Sequence, residues 1–224
     1  PDVVAVQNFV FSMFPERDTA HYLLKWVSSH YGGHVVDELF HVLIGVGSNG
    51  KSKFCELVKK ALGKYYTTVP ASLMTQKRPD AQGATPAYEA FRNKRSAWMN
   101  EIEKGVRLNG GLMKELTGGD EVFSRALFEQ GSEFKPQAKF GMVTNHTPAV
   151  PADDEAIWRR MRAIPFTMRF VPNPDKNDPL QQKRDNSITD KIPQWVGAFQ
   201  WLLLKHYYPL YKREGIIDEA QVPA

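Results

Sequence analysis

The stretch Gly45-Val-Gly-Ser-Asn-Gly50-Lys-Ser52 limits what this chain can fold into more than any other. It follows an apolar run ending at Ile44 and precedes a helical pattern from Ser52 to Leu62, so a strand, a glycine-rich loop and a helix come in succession. Glycines at 45, 47 and 50 clear the side chains that would keep successive backbone N–H groups from turning inward. Lys51 and Ser52 complete the pattern GxxxxGK[ST], in which the lysine reaches the β and γ phosphates of a nucleotide and the serine hydroxyl ligates magnesium. At average residue usage the pattern arises by accident in roughly one chain in a hundred of this length. With a strand before it and a helix after it, Gly45, Val46, Gly47, Ser48, Asn49, Gly50, Lys51, Ser52 and Lys53 are read as a phosphate-binding loop.

The remaining composition narrows the setting. The 224 residues, 42% hydrophobic and 24% charged, suit one globular domain with at most a small appendage. No run approaches the ~20 uncharged apolar residues of a membrane span, and no basic-then-apolar leader opens the chain, which is the pattern of a soluble, intracellular protein. The single cysteine, Cys55, excludes an internal disulfide scaffold and a cysteine zinc site and fits a reducing compartment. A first residue of Pro1 reads as a piece of something longer. Charge is uneven: residues 1–50 hold 2 basic and 5 acidic groups, residues 51–170 hold 20 and 13, and residues 171–224 hold 7 and 7. The middle is therefore +7, a weak pointer to a polyanion, against the plainer reading of a solvated basic face.

Periodicity places a packing helix over residues 19–31 and a strand over Val35–Ile44. A polar, turn-rich excursion at Thr75–Pro86 leads to a short helix through Phe91. Further strands are expected at Lys94–Ile102, Ala138–Thr144 and Arg162–Phe166, and a hairpin from Val122–Phe128 and Ser132–Phe134 around Glu129-Gln-Gly131. Short helices at Leu112–Leu116 and Asp154–Trp158, a charged loop over 172–186 and an amphipathic helix over Ile192–His206 complete the outline. Strands alternating with helices and ending on polar residues predict an α/β fold with its working edge at the strand C-termini.

Three groups of side chains stand where a triphosphate would need them. Glu101 and Glu103 follow a strand, where one carboxylate could hold magnesium through water and the other position an attacking water; an exposed charged turn is the plainer alternative. Asn145 closes another strand and could reach a γ phosphate, although Asn at a strand end is commonly a turn former. Arg159, Arg160 and Arg162 follow a short helix, and such clusters are usually solvated unless an arginine serves a neighbouring subunit's phosphate. The run Asp80-Ala-Gln-Gly83 imitates a GTPase element, but Asn93-Lys-Arg-Ser96 lacks the aspartate that would read guanine, so ATP is favoured.

The order GVGSNGKS, NEIEKG, KELTGGDEVFSRALF, FKPQAKFGMVTNHTP and DDEAIWRRMRAIPF resembles the motif series of superfamily 3 helicases, in the phage and poxvirus primase-helicase branch. The resemblance covers roughly residues 38–170 and implies an AAA+-like P-loop NTPase: a parallel sheet flanked by helices, with an inserted β-hairpin. It implies a helical flank over 1–37, the ATPase core over 38–170 and a second helical flank over 171–224. It further implies a ring of six subunits that hydrolyses ATP with Mg²⁺ at subunit boundaries to unwind single-stranded or forked DNA, with a primase module on the same full-length chain. Carried over by position, Lys51 and Ser52 are the first motif, Glu101 and Glu103 the acidic second motif with Glu101 at the metal, and Asn145 the sensor. Arg159 or Arg160 is the finger acting in trans, with Arg159 preferred by its spacing to Phe166. Lys114 to Lys135 matches the motif that supplies a DNA-contacting hairpin; the tip is not basic, so strand contact falls to Lys114, Arg125, Lys135 or Lys139, or to backbone N–H groups. Two other readings use the same loop: a P-loop kinase or DNA-packaging ATPase, and a nucleotide-dependent DNA-binding assembly module without turnover. Stimulation of ATPase by single-stranded DNA separates a motor from both.

Overall fold

The computed structural model describes residues 1–76, 85–100, 105–126, 130–150 and 155–216. In chain order these form α1 (Asp2–Phe11), α2 (Arg17–Ser29), β1 (Phe40–Ile44), α3 (Lys51–Leu62), β2 (Tyr66–Val69), α4 (Pro86–Glu89), β3 (Ser96–Met99) and α5 (Gly110–Thr117). They continue as β4 (Val122–Ser124), β5 (Ser132–Phe134), β6 (Lys139–Thr144), α6 (Glu155–Arg160), β7 (Met161–Pro165), β8 (Arg169–Val171), β9 (Gln181–Lys183), α7 (Ile188–Leu202) and α8 (Tyr208–Glu214). Five strands form one sheet in the order β2-β3-β6-β1-β7, and two small two-stranded sheets pair β4 with β5 and β8 with β9. The fold is the expected α/β sheet flanked by helices with a β-hairpin, and β2-β3 and β3-β6 pair in parallel.

The chain divides into two compact units, each assembled from separated stretches. One unit gathers Pro1–Tyr31, Leu43–Gly63 and Ile164–Ala224. Its core is aromatic: Phe166 lies against Phe14 with ring centroids 4.7 Å apart and against Phe54 at 6.3 Å, and Phe54 meets Phe199 edge-on at 6.5 Å. The apolar stripe Phe54, Leu57 and Val58 on α3 is wholly buried, as its helical spacing predicts. Helix α7 packs against α1 and α3, and Gln200 donates to the Ala61 carbonyl at 2.8 Å near the end of α3.

The second unit gathers Gly32–Val42 and Lys64–Ala163. Strands β3 and β6 run in parallel with Met99 opposite Met142, so their C-terminal ends share an edge. Both strands are nearly fully buried, which explains why Ala97-Trp98-Met99 and Phe140-Gly-Met142 read as apolar runs rather than as alternation. The hairpin β4-β5 pairs Val122 with Phe134 and Ser124 with Ser132. It is shorter than the Val122–Phe128 expectation because β4 ends at Ser124 and Arg125 turns to exchange backbone and hydroxyl bonds with Thr85.

Several elements differ from the periodicity reading. The strand expected from Val35 begins only at Phe40, because Glu38 takes φ 54°, which breaks the extended backbone. Helix α1, strand β2 and the pair β8-β9 were not read as such. The pair β8-β9 occupies part of the charged loop expected at 172–186, and the helix expected from Ile192 starts at Ile188. Asp80–Gly83, Glu101, Glu103, Glu129 and Asp154 lie outside the described residues.

Candidate functional site

The glycine-rich loop belongs to the first unit, and two left-handed residues shape it: Ser48 at φ 64° and Gly50 at φ 85°. Gly50 directly precedes α3, and a Cβ there would meet the Met13 side chain at 3.0 Å. Gly45 is required for a different reason, since a Cβ would sit 2.5 Å from the Phe166 carbonyl oxygen. The loop is tied internally by Asn49, which is buried. Its Nδ2 donates to the carbonyls of Val46 at 2.8 Å and Phe166 at 3.3 Å, and its Oδ1 accepts from the Lys51 N–H at 3.3 Å.

Lys51 is itself buried, and its Nζ donates back to the Gly45 carbonyl, so the ammonium is folded over the loop rather than extended into solvent. Ser52 is exposed in the first turn of α3. Leading N–H groups of a helix have no intrahelical acceptor and carry the positive end of its dipole, so Lys51, these amides and Ser52 together suit an anion and a divalent cation. Burial pushes the Cys55 thiol up to about 12, with the Lys51 ammonium opposing, so the one cysteine is protonated at neutral pH.

The stretch after β7 braces the loop from outside, which no local signal announced. The Phe166 N–H donates to the Ile44 carbonyl at 2.7 Å, and the Phe170 N–H donates to the Ser48 carbonyl at 2.7 Å, so residues 166–170 track the loop at both ends. Arg184, just beyond β9, donates from Nη2 to the Ser48 hydroxyl at 3.2 Å and from Nε to the Phe170 carbonyl at 3.3 Å. Ser48 is thereby held in its left-handed conformation from two sides.

The other candidates belong to the second unit. Asn145 is exposed just past the end of β6, which pairs with β3 up to Met99 opposite Met142; Glu101 and Glu103 lie outside the described residues. The two arginines of α6 are unlike. Arg159 is 79% exposed in its side chain, with a loose 3.4 Å contact to Glu155, whereas Arg160 is 21% exposed and ion-paired to Glu38 at 2.5 Å. Arg162 is spent on backbone carbonyls of Arg159 and Met161. Of the lysines and arginine expected to touch a strand, Lys135 is exposed, and Lys114 and Arg125 are half-buried. Lys139 is unlike the other three: it is buried at the start of β6 and ion-paired with Asp37 at 2.5 Å. Burial lowers its pKa and Asp37 opposes the shift. Arg92 was missed; it binds Glu89, caps the Phe134 ring at 4.3 Å and donates to Ser132 on β5, which anchors the hairpin.

With this geometry in view, comparison with known proteins places the chain. Residues 43–160, a little over half of it, match the family described as of unknown function and designated DUF5906. The chain belongs to that family. Its relatives include a protein of Acanthamoeba polyphaga mimivirus provisionally named helicase L207/L206, 33% identical over 220 residues, covering 95% of this chain and 23% of the relative. Another, provisionally named primase C962R, of African swine fever virus (strain Badajoz 1971 Vero-adapted), is 26% identical over 209 residues, covering 92% and 22%. This DUF5906 chain thus spans under a quarter of the length of the curated relatives it matches. The fold is also that of the solved apo C-terminal region of NrS-1, with TM-score 0.66, 16% identity, and 99% of this chain and 50% of that one covered. The viral helicase and primase names agree with the resemblance to the primase-helicase branch. Among the described residues, no helix is long and apolar enough to cross a membrane.

Proposed function

We propose that this chain is the ATP-hydrolysing motor part of a viral-type replication primase-helicase, and that Gly45–Lys53 holds the phosphates of ATP. The observation that carries this is the loop itself: left-handed Ser48 and Gly50, buried Lys51 bound back to Gly45, and the leading N–H groups of α3 behind it. Lys51 would meet the β and γ phosphates, and Ser52 with Glu101 would hold Mg²⁺, whose role is to neutralise charge between those phosphates. Glu103 is assigned to orienting the water and Asn145 to sensing the γ phosphate. Arg159, the exposed arginine of α6, is assigned as the finger that reaches a neighbouring copy's nucleotide, in preference to Arg160, which is engaged by Glu38.

The wider reading is a ring, hexameric by the resemblance, that draws single-stranded or forked DNA through its centre, with a primase module elsewhere on the full-length chain. Lys114, Arg125 and Lys135 are the DNA contacts retained in it, in phosphate contacts that carry no sequence preference. The test is calorimetry with Mg²⁺ and ATP on the chain and on Lys51→Ala, followed by phosphate release with and without single-stranded DNA. Micromolar-range binding lost in Lys51→Ala, and turnover stimulated by DNA, are expected. Absence of ATP affinity in the unaltered chain would end the proposal, and turnover indifferent to DNA would favour another NTPase.

A further inference from the structure

Three hydrogen bonds close a ring around Ser48, all within the first unit, and the phosphate reading of the loop uses none of them. The Phe170 N–H donates to the Ser48 carbonyl at 2.7 Å, the Phe170 carbonyl accepts from Arg184 Nε at 3.3 Å, and Arg184 Nη2 donates to the Ser48 hydroxyl at 3.2 Å. The ring is fixed on its far side, because the Arg184 N–H donates to the Val171 carbonyl at 2.9 Å and so continues the pairing of β8 with β9. It encloses the one non-glycine residue of the loop with a left-handed backbone, Ser48 at φ 64°. A side chain at such an angle crowds its own backbone, so an unrestrained serine relaxes toward the right-handed region. The loop depends on that angle. Ser48 and Gly50 are left-handed and Asn49 between them is not, and such alternation of hand aims successive N–H groups into one concavity.

We infer that Arg184 is a positioning residue for nucleotide binding, which acts through Ser48 rather than on a phosphate directly and locks the left-handed turn in the form that receives an anion. The inference rests on the loop reading and adds to it a brace that the loop motif does not contain. Arginine suits the role for a geometric reason. Nε and Nη2 are held apart in one rigid plane, so a single side chain spans the Phe170 carbonyl and the Ser48 hydroxyl together, which the point charge of a lysine does not. The effect falls on affinity, because the backbone donors are arranged before the nucleotide arrives and binding no longer bears the cost of ordering them. Arg184 lies outside the stretch 43–160 shared with the family, so the readiness of a shared loop is set by the segment that follows the core.

The experiment is calorimetry with Mg²⁺-ATP on the unaltered chain, Arg184→Ala, Arg184→Lys, Ser48→Gly and the double variant Ser48→Gly/Arg184→Ala, each first shown to melt cooperatively. Arg184→Ala is expected to bind about tenfold more weakly, the weight of one charge-assisted hydrogen bond. Arg184→Lys is expected to lose as much although its charge is kept, and it carries the test if Arg184→Ala does not fold. Glycine adopts a left-handed angle without strain and has no hydroxyl to hold, so whatever Ser48→Gly costs by itself, adding Arg184→Ala to it is expected to cost under about twofold more. Should Ser48→Gly bind too weakly to measure, Ser48→Ala with and without Arg184→Ala supplies the same cycle, with losses that do not add. A general weakening of β8-β9 would instead carry the Arg184→Ala loss unchanged into the Ser48→Gly background. That result, full affinity in Arg184→Lys, or full affinity in Arg184→Ala overturns the assignment and leaves the loop reading standing. Absence of Mg²⁺-ATP binding in the unaltered chain overturns the loop reading and the brace with it, a different pattern from the others.

Discussion

Lys139 shows how little a residue's type says about its job. A lysine near a hairpin motif suggests a phosphate contact, yet this one is buried in a strand whose residues are nearly all buried, with Asp37 as its counter-ion. Taking an ammonium out of water lowers its pKa, and Asp37 raises it back in part. Between the lowered folded value and the ordinary 10.5, the unfolded chain binds more protons, so with respect to this group stability rises with pH across that window. Below it, the charged pair is kept only because each partner neutralises the other. Asp37→Asn should therefore cost about 3 kcal/mol near neutral pH by leaving a buried charge uncompensated. The loss should shrink toward pH ~10, where the variant's lysine can shed its proton earlier than the wild type's. Urea unfolding near pH 7 and near pH 9.5 measures both, and an identical loss at the two values would show that packing, not charge, is responsible.

At the scale of elements, the hairpin β4-β5 has only three residue pairs, and such a ribbon is marginal in water by itself. Its order comes from Arg92. The guanidinium covers the Phe134 ring, reaches the Ser132 hydroxyl at 3.1 Å and is held in a two-point bond to Glu89, whose carboxylate also accepts from the Ser124 hydroxyl. The Arg92 bond holds the Glu89 carboxyl below its ordinary pKa, burial opposing. The Arg92–Glu89 pair thus ties both strands to α4 and the turn after it, Arg92 through β5 and Glu89 through β4. Arg92→Ala is expected to cost about 1–2 kcal/mol and to raise amide exchange at Phe123 and Glu133 well before the core of β6 exchanges. Arg92→Lys should restore little, because an ammonium cannot make the two-point contact with Glu89 or lie flat on Phe134. Exchange in Arg92→Ala that matches the wild type would show that the hairpin is ordered by other contacts.

At the scale of the whole molecule, the question is whether one copy suffices. Under the proposed assembly, Lys51 acts on its own copy's nucleotide and Arg159 on a neighbour's, so the two losses fall on different sites in a mixed ring. Lys51→Ala and Arg159→Ala, each nearly inactive alone, should recover measurable ATPase when mixed, because some interfaces then hold both intact residues. Arg159→Ala should retain ATP binding while its turnover falls by ~10³ or more, the scale on which fingers act elsewhere. Wild-type turnover in Arg159→Ala alone would remove the shared site, and a mixture no better than its components would argue against assembly. Particle images with ATP and DNA give the copy number directly.

Much of this was legible in the chain itself, because the signals were local. GVGSNGKS specifies its own backbone: glycine where Cβ cannot fit, then a helix start, with no distant partner needed to write the pattern. The buried face of α3 and the apolar runs of β3 and β6 likewise follow from spacing within a few residues. Tertiary structure decided what lay across long separations. Arg184 meets Ser48 across 136 positions, Asn49 meets the Phe166 carbonyl across 117, and Lys139 finds Asp37 across 102. Periodicity carries no information about which distant segment returns to a given place, since that choice is made by collective burial of apolar surface rather than by any short pattern. The amino-acid order by itself determined that a glycine-rich loop follows a strand and which helix comes after it. Only the folded chain decided that the two flanks brace that loop, and that one promising lysine is buried and paired.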